Sequence, residues 1–168
     1  LLDEISEIPP VLQAKLLRVL EEEEFERVGG SQTLSVDVRV ISTTNRDLAK
    51  EVQAGNFRQD LFFRLNVVPI HVPPLRARKE DIARLAEFFL ARYSSELKRR
   101  DLRLSPQTLA IMGAYDWPGN VRQMKNAVER MAVMAPGDIL TPDLLPPEIL
   151  RGDDGTGPSL LGDGTLLP

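Results

Sequence analysis

The apolar residues up to residue 76 change between helical and strand spacing along the chain. After the prolines at 9–10 they recur every three or four residues and predict a helix, whose inward positions are Val11, Leu12, Leu16, Val19 and Leu20. Alternating apolar residues on both sides of Gly29-Gly30 predict a hairpin, with one strand over 25–28 and the other from residue 34 onward. This second run continues at period two into polar residues at 42–45.

Three further segments complete this first part of the chain. Residues 47–54 and 57–65 have short helical patterns separated by Gly55, and residues 67–72 have the composition of a strand. Strands that alternate with helices are typical of βαβ units and of a parallel sheet. We therefore predict an α/β fold for residues 1–76.

From residue 77 to about 150 the apolar spacing is helical, with almost no strand pattern. Residues 80–97 carry one apolar stripe over about five turns. Ser105-Pro106 is a helix cap followed by a first-turn proline, and it predicts a helix that ends near residue 115. A third helix is predicted over 120–134. Short helices joined by tight turns form bundles, so we expect residues 77–150 to form a helical lid against the α/β part.

The last segment, 151–168, has the composition of a linker. It holds five of the 11 glycines and no aromatic residue. Fixing a backbone costs about 1–2 kcal/mol per residue, and the few leucines of this segment bury too little surface to offset that cost. We expect a disordered linker that leads to something outside these residues.

The overall composition excludes several classes of function. With 42% hydrophobic and 27% charged residues in 168, the chain has the composition of a globular domain with appendages. A net charge of -4 argues against a free-standing nucleic-acid binder, and the absence of cysteine excludes thiolate metal sites and disulfides. No apolar run is long enough for a membrane span and no signal peptide is visible, so we expect a cytoplasmic protein without membrane contact.

Polar residues that follow two predicted strands are the first candidates for chemistry. Ligands of open parallel sheets bind beyond the carboxyl ends of the strands, where this sequence has Asp3-Glu4 and Thr44-Asn45. Adjacent carboxylates can hold hydrated Mg²⁺ and polarise a water for attack on phosphorus. Two alternatives stand beside this interpretation. The acidic pair could be an ordinary helix N-terminal charge, and Asn45 could be a helix cap before Asp47.

Three arginines are the next candidates. Arg58 and Arg64 lie six residues apart, a spacing that does not place both on one line of a helix. They could reach the phosphates of a neighbouring subunit, or they could be surface arginines paired with Asp60 or Glu51. Arg122 begins a predicted helix and could be directed at a nucleotide, or it could be a solvated helix-start residue.

A phosphate-binding loop is not found in these 168 residues. Such loops end in Gly-Lys followed by Ser or Thr, and none of the five lysines follows a glycine. The single histidine, His71, has no triad-like partners in the sequence and is interpreted as a packed or surface residue.

Several motifs, in order, strongly resemble the AAA+ domain of sigma-54-dependent transcriptional activators, the bacterial enhancer-binding proteins. The resemblance covers residues 1 to about 150. The segments APGDIL (135–140) and LPPEI (145–149) are most similar to nitrogen-regulation response regulators within that family. The motifs that carry the main resemblance are LLDEISE (1–7), QAKLLRVLE (13–21), FERVGG (25–30), VRVISTTN (38–45), FRQDLFFRL (57–65), PPLRARKEDI (73–82) and WPGNVR (117–122).

The resemblance implies an ATP site with Mg²⁺ as its metal. Asp3 and Glu4 match the Walker B pair, in which the first carboxylate orders Mg²⁺ and the second activates the attacking water. Thr44 and Asn45 match sensor I, which responds to the γ-phosphate. These roles are expectations from the family.

The resemblance also implies a self-partner. Arg58 and Arg64 match the arginine fingers that one subunit donates to the ATP of the next, and Arg122 matches the sensor II arginine of the lid. Family members work as ring oligomers, typically hexamers, and use ATP hydrolysis to remodel RNA polymerase bound to sigma-54.

Other family features are not found in the sequence. We expect the phosphate loop, the G-A-F-T-G-A loop that touches sigma-54, and the DNA-binding domain to lie outside it, so that the isolated chain does not hydrolyse ATP. Two rival interpretations stay open at this point: an AAA+ protein of another class, such as an unfoldase or helicase loader, or a non-catalytic fragment that caps or poisons rings of an intact protein.

Overall fold

The computed structural model describes residues 1–30, 32–99 and 101–151. Within them the chain forms two compact units, one over Leu1–His71 and one from Val72 onward, and each has its own apolar core. Apart from Arg151, the predicted linker over 151–168 lies outside the described residues.

The first unit combines helices with one hairpin in its described part. A short 3-10 helix over Ile5–Glu7 precedes these elements. Asp47 caps the second helix, because its carboxylate accepts hydrogen bonds from the N–H groups of Ala49 and Lys50 at 3.1 and 3.4 Å. In chain order the elements are α1 (Pro10–Glu22), β1 (Glu24–Glu26), β2 (Thr33–Ser35), α2 (Leu48–Gln53) and α3 (Gln59–Leu65).

The predicted hairpin is confirmed, with shorter strands than the period-two pattern indicated. β1 and β2 pair antiparallel, with Phe25 opposite Leu34. Gly29 adopts φ 78°, a left-handed conformation that glycine takes without a Cβ penalty, and this turns the chain between the strands. Beyond β2, Val38 and Val40 are exposed.

The predicted parallel pairing is present as a single bridge between Leu2 and Ser42. The strand predicted over 67–72 is wrong. Val67, Val68 and Ile70 are 73%, 76% and 83% exposed, and no residue described in the structure pairs with this segment. A strand forms only when its backbone groups bond to a neighbour, and β-branched composition cannot supply that neighbour.

The inward face of α1 also differs from the prediction. Val11 and Leu12, expected inside, are 71% and 49% exposed. The inward face is formed by the fully buried Gln13 and by leucines 16, 17 and 20, which pack against the core of the first unit, so the predictions for Leu16 and Leu20 are confirmed. The three leucines follow Gln13 by three, four and seven positions, which is the spacing of one helix face.

The second unit is a small helical bundle in which all three predicted helices are confirmed. Ser105 caps α5 as expected, because its hydroxyl accepts the N–H of Thr108 at 3.1 Å. A two-residue parallel pair, β3 with β4, was too short for the sequence pattern to predict. Two 3-10 helices, Leu75–Ala77 and Pro142–Leu144, join the elements. These elements are α4 (Asp81–Glu96), β3 (Arg103–Leu104), α5 (Pro106–Ala114), α6 (Asn120–Met134), β4 (Ile139–Leu140) and α7 (Pro147–Leu150).

Among the residues that the structure describes, none of the helices combines the length and the apolar character needed to cross a membrane.

Candidate functional site

Asp3 and Glu4 lie directly after the parallel bridge of Leu2, and both are exposed. Two backbone hydrogen bonds fix this strand end. The N–H of Leu2 donates to the carbonyl of Ile41, and the N–H of Thr43 donates to the carbonyl of Leu2, each at 2.8 Å. The two carboxylates therefore face solvent from a paired backbone.

Thr43 links the neighbouring strand end to this acidic pair. Its hydroxyl donates a hydrogen bond to the carboxylate of Asp3 and accepts the N–H of Glu4 at 3.4 Å. Glu4 adopts φ 50°, a left-handed conformation that costs a residue with a side chain roughly 1–2 kcal/mol. Such strain persists where the surroundings fix a backbone, and it is concentrated at functional sites.

Thr44 and Asn45 follow on the same strand end, and both are exposed. The hydroxyl of Thr44 donates to Ser6 at 3.0 Å and accepts the N–H of Arg46 at 3.0 Å. The alternative role of Asn45 as a helix cap is wrong, because Asp47 caps α2. The parallel pairing thus brings Thr44 and the acidic pair to one edge.

Arg58 and Arg64 lie at the two ends of α3. The guanidinium of Arg58 makes two hydrogen bonds with the Asp60 carboxylate, Nε to Oδ1 at 3.0 Å and Nη2 to Oδ2 at 2.6 Å. Arg64 donates from Nη2 to the carbonyl of Leu20 at 2.7 Å, near the end of α1. Across the described residues, no hydrogen bond or ion pair joins either arginine to the acidic pair. Asp60 is therefore the partner of Arg58 in the single chain.

The Arg58–Asp60 pair is open to solvent. The Arg58 guanidinium lowers the pKa of Asp60 by hydrogen bonding, and Asp60 in turn raises the pKa of Arg58. The two side chains are 46% and 45% exposed, so water competes with the pair and weakens it. Another anion, such as a phosphate, could replace Asp60 at little cost.

Gln13 is a polar residue that the sequence analysis did not single out. Its side chain is fully buried in the first unit. Its Nε2 donates to the carbonyls of Ile8 and Asn56 at 3.0 and 2.9 Å, and its Oε1 accepts the backbone N–H of Arg58 at 2.8 Å. The sequence feature that could have identified Gln13 is its amide, which stands on the face of α1 that is otherwise apolar.

Arg122 lies in the second unit, in the first turn of α6, and is exposed. The turn before it is anchored on both sides. Trp117 is fully buried and its indole N–H donates to the carbonyl of Met112 at 2.8 Å. The side-chain oxygen of Asn120 accepts the N–H of Leu75 at 2.8 Å. The helix that carries Arg122 therefore starts from a fixed point of this unit.

The donor set at the acidic pair fits Mg²⁺. This ion usually takes one or two protein carboxylates and completes its octahedron with water and substrate phosphates. The described part of the chain contains no group of three or more His, Asp or Glu side chains that could hold a metal ion by itself. Asp3 would therefore hold Mg²⁺ only together with phosphate and water.

Two family descriptions match consecutive parts of the chain. The sigma-54 interaction domain matches residues 1–71, and the AAA+ ATPase lid domain matches residues 76–160. The chain belongs to the AAA+ family of sigma-54-dependent transcriptional activators. This confirms the resemblance drawn from the motifs, and the order of the two matches agrees with the α/β part followed by the helical bundle.

Curated relatives of this family are similar over most of the chain. The regulatory protein AtoC of Escherichia coli is 53% identical over 89% of this chain and 32% of its own length. The Nif-specific regulatory protein of Herbaspirillum seropedicae is 56% identical over 83% of this chain and 26% of its own length. The chain thus spans about a third of the length of the curated relatives it matches.

Solved structures of the family confirm the predicted fold class. NtrX from Brucella abortus in complex with ATP has 44% sequence identity and a TM-score of 0.79, and the match covers 88% of this chain and 35% of that one. The complex of the same protein with ADP gives the same identity and TM-score over 90% of this chain and 36% of that one. The α/β segment followed by a lid is therefore the AAA+ arrangement of elements.

Proposed function

We propose that this protein activates transcription by sigma-54 RNA polymerase through ATP hydrolysis in a ring of identical subunits. Within that function, the chain supplies the part of the ATP site that follows the phosphate loop. The observation that carries the proposal is the parallel bridge at Leu2, which places an acidic pair and Thr44 at one strand edge. Ligands of parallel α/β sheets bind at this edge.

The acidic pair would divide two tasks. Asp3 would hold the bound Mg²⁺, which neutralises charge on the phosphates during transfer. Glu4 would accept a proton from the attacking water as a general base, and its exposed side chain is open to solvent for that purpose. The Thr43 hydroxyl, bonded to both residues, would keep them in this arrangement.

The other polar residues would report on the nucleotide. Thr44 and Asn45, at the adjacent strand end, would contact the terminal phosphate as sensor I. Arg122 would contact the nucleotide from the lid as sensor II. The anchored turn before α6 supports this role, because a contact of this kind needs a fixed helix start.

Arg58 and Arg64 would act on the ATP of the adjacent subunit. The solvent-open ion pair of Arg58 supports this proposal, since a phosphate can displace Asp60 from it. An arginine supplied in trans to a transferring phosphoryl group is worth about 10³–10⁵ in rate. The ring, which we propose to be a hexamer, is thus part of the catalytic site.

Further parts of the function would lie outside these 168 residues. No lysine of the chain follows a glycine, so we propose that the phosphate loop comes from other sequence of the protein, as do the loop that contacts sigma-54 and a DNA-binding domain. The structures of the Brucella NtrX protein with ATP and with ADP support a nucleotide ligand. We propose a cytoplasmic location for the same function.

The proposal predicts separate effects on binding and turnover. In the full-length protein, Glu4→Gln keeps the shape of the side chain but removes the base, so ATP affinity should stay within about threefold while turnover falls about a hundredfold or more. ATP affinity is measured with a fluorescent analogue, and turnover by phosphate release. Glu21→Gln, an exposed glutamate in α1, is the matched control and should behave as the parent. Retained turnover in Glu4→Gln would refute the role of Glu4.

A further inference from the structure

The backbone of Arg58 is held from both sides, although its side chain is not. Its carbonyl accepts the N–H of Phe62 at 3.1 Å, which starts α3, and its N–H donates to the Oε1 of Gln13 at 2.8 Å. Phe57, immediately before it, is buried. The guanidinium, in contrast, is about half exposed and bonded only to the neighbouring carboxylate of Asp60 in the described residues.

Gln13 joins three separate segments with one side chain. The carbonyls of Ile8 and Asn56 accept its two N–H groups, so that the amide cannot rotate without losing a bond. Because the amide is completely buried, no water is available to replace a lost partner. The position of the amide oxygen, and with it the N–H of Arg58, is therefore fixed relative to α1.

We propose that Gln13 is a positioning residue for Arg58. It holds the backbone of Arg58, the N-cap residue of α3, so that the guanidinium can leave Asp60 for a phosphate without movement of the backbone. This inference rests on the proposed role of Arg58 at the ATP of the adjacent subunit. A displacement of about 1 Å in a group that orients a reacting centre can cost about a hundredfold in rate. Arg64, bonded to the carbonyl of Leu20, gives the other end of α3 a second link to α1.

Two substitutions of Gln13 test this inference in the full-length protein. Gln13→Met keeps the length of the side chain and removes all three hydrogen bonds, and Gln13→Asn keeps an amide that is one methylene too short to reach the N–H of Arg58. Leu16→Ala is the matched control, because Leu16 packs on the same face of α1 but has an apolar side chain that cannot hydrogen-bond to the N–H of Arg58. Gln13→Asn carries the test if Gln13→Met does not fold.

The inference predicts a selective loss in turnover. Gln13→Met should lower kcat for ATP hydrolysis about tenfold to a hundredfold, with the KM for ATP within about twofold, because ATP is bound by the other subunit's residues. Gln13→Asn should show a smaller loss in the same direction. Hydrogen exchange at the Arg58 N–H should become about tenfold faster in both variants. Leu16→Ala should leave kcat unchanged and should not accelerate exchange at the Arg58 N–H more than at other amides.

A double substitution separates positioning from general damage. If Gln13 acts through Arg58, then Gln13→Met should lower kcat no further once Arg58→Ala is present. The same fractional loss in both backgrounds would overturn the inference, as would parental kcat in Gln13→Met or a loss no larger than that of Leu16→Ala. Parental kcat in Arg58→Ala alone would instead refute the proposed function of Arg58, and the inference would fall with it.

Discussion

At the scale of single residues, uncharged polar side chains fix both units in place. The hydroxyl of Thr43 bonds to both members of the acidic pair, and the amide of Gln13 joins α1 to the start of α3. In the second unit the hydroxyl of Tyr93 donates to the carboxylate of Glu129 at 2.9 Å. A buried polar group left without a partner costs about 1–3 kcal/mol, so the bonds of the buried Gln13 and Tyr93 favour one local geometry over others.

Tyr93 makes the stability of the second unit depend on pH in the alkaline range. Burial and the hydrogen bond to Glu129 raise the pKa of Tyr93 to about 12, against about 10 in an unfolded chain. The folded state thus keeps a proton that the unfolded state releases, so the stabilisation is complete below pH ~10 and is lost as pH rises toward ~12. Denaturant unfolding at several pH values should show this loss in the parent and a weaker pH dependence in Tyr93→Phe. The same change of unfolding free energy with pH in both proteins would contradict this role of Tyr93.

At the scale of elements, the sequence was sufficient for most helices and for the hairpin, and insufficient for the strand over 67–72. Helices α4, α5 and α6 could be predicted because caps, prolines and apolar stripes are local signals, and the second unit needs only itself to bury them. The strand predicted over 67–72 depends on a partner that local sequence cannot supply. The inward face of α1 was predicted correctly at Leu16 and Leu20 but misassigned at its start, because a buried amide at Gln13 takes the place of an apolar residue.

The same distinction applies to the candidate site. Asp3, Glu4 and Thr44 could be proposed from polar residues at strand ends, and the parallel bridge places them at one edge. Thr43 lies among the polar residues at 42–45, but its role and that of Gln13 could not be proposed in that way, because both depend on hydrogen bonds to residues about 40 and 45 positions away. Such long-range bonds leave no periodic trace in a single sequence.

The cap of α5 gives a test of a local element. Ser105 is buried and its hydroxyl accepts the N–H of Thr108, so Ser105→Ala leaves that donor unsatisfied and should lower the free energy of unfolding by about 1–2 kcal/mol. Ser95→Ala, at an exposed position within α4, is the control and should be neutral or slightly stabilising, since alanine is the better helix former. Unfolding in urea measures both variants. Equal effects would contradict the role of Ser105 as a cap.

At the scale of the whole molecule, we propose an ATP site that is divided between chains. Because the net charge is -4, we propose that phosphate recognition relies on a few placed arginines and not on a generally basic surface. The acidic pair and Arg58 are on the same unit, but no hydrogen bond or ion pair joins them in the described part of that unit. The proposed ring, in which each chain would complete its neighbour's site, would account for this separation.

Mixed rings of two impaired variants test this central claim most directly. On this proposal Glu4→Gln lacks the base but keeps its arginines, and Arg58→Ala lacks an arginine but keeps its base, so each alone should retain only a small residual rate. If the site is shared, a Glu4→Gln subunit can supply Arg58 to the intact Glu4 of an Arg58→Ala neighbour. We predict that mixing the two full-length variants restores ATP hydrolysis to roughly a quarter of the parental rate, the share of interfaces that carry both groups in random rings. Rings that mix but stay inactive would contradict the account.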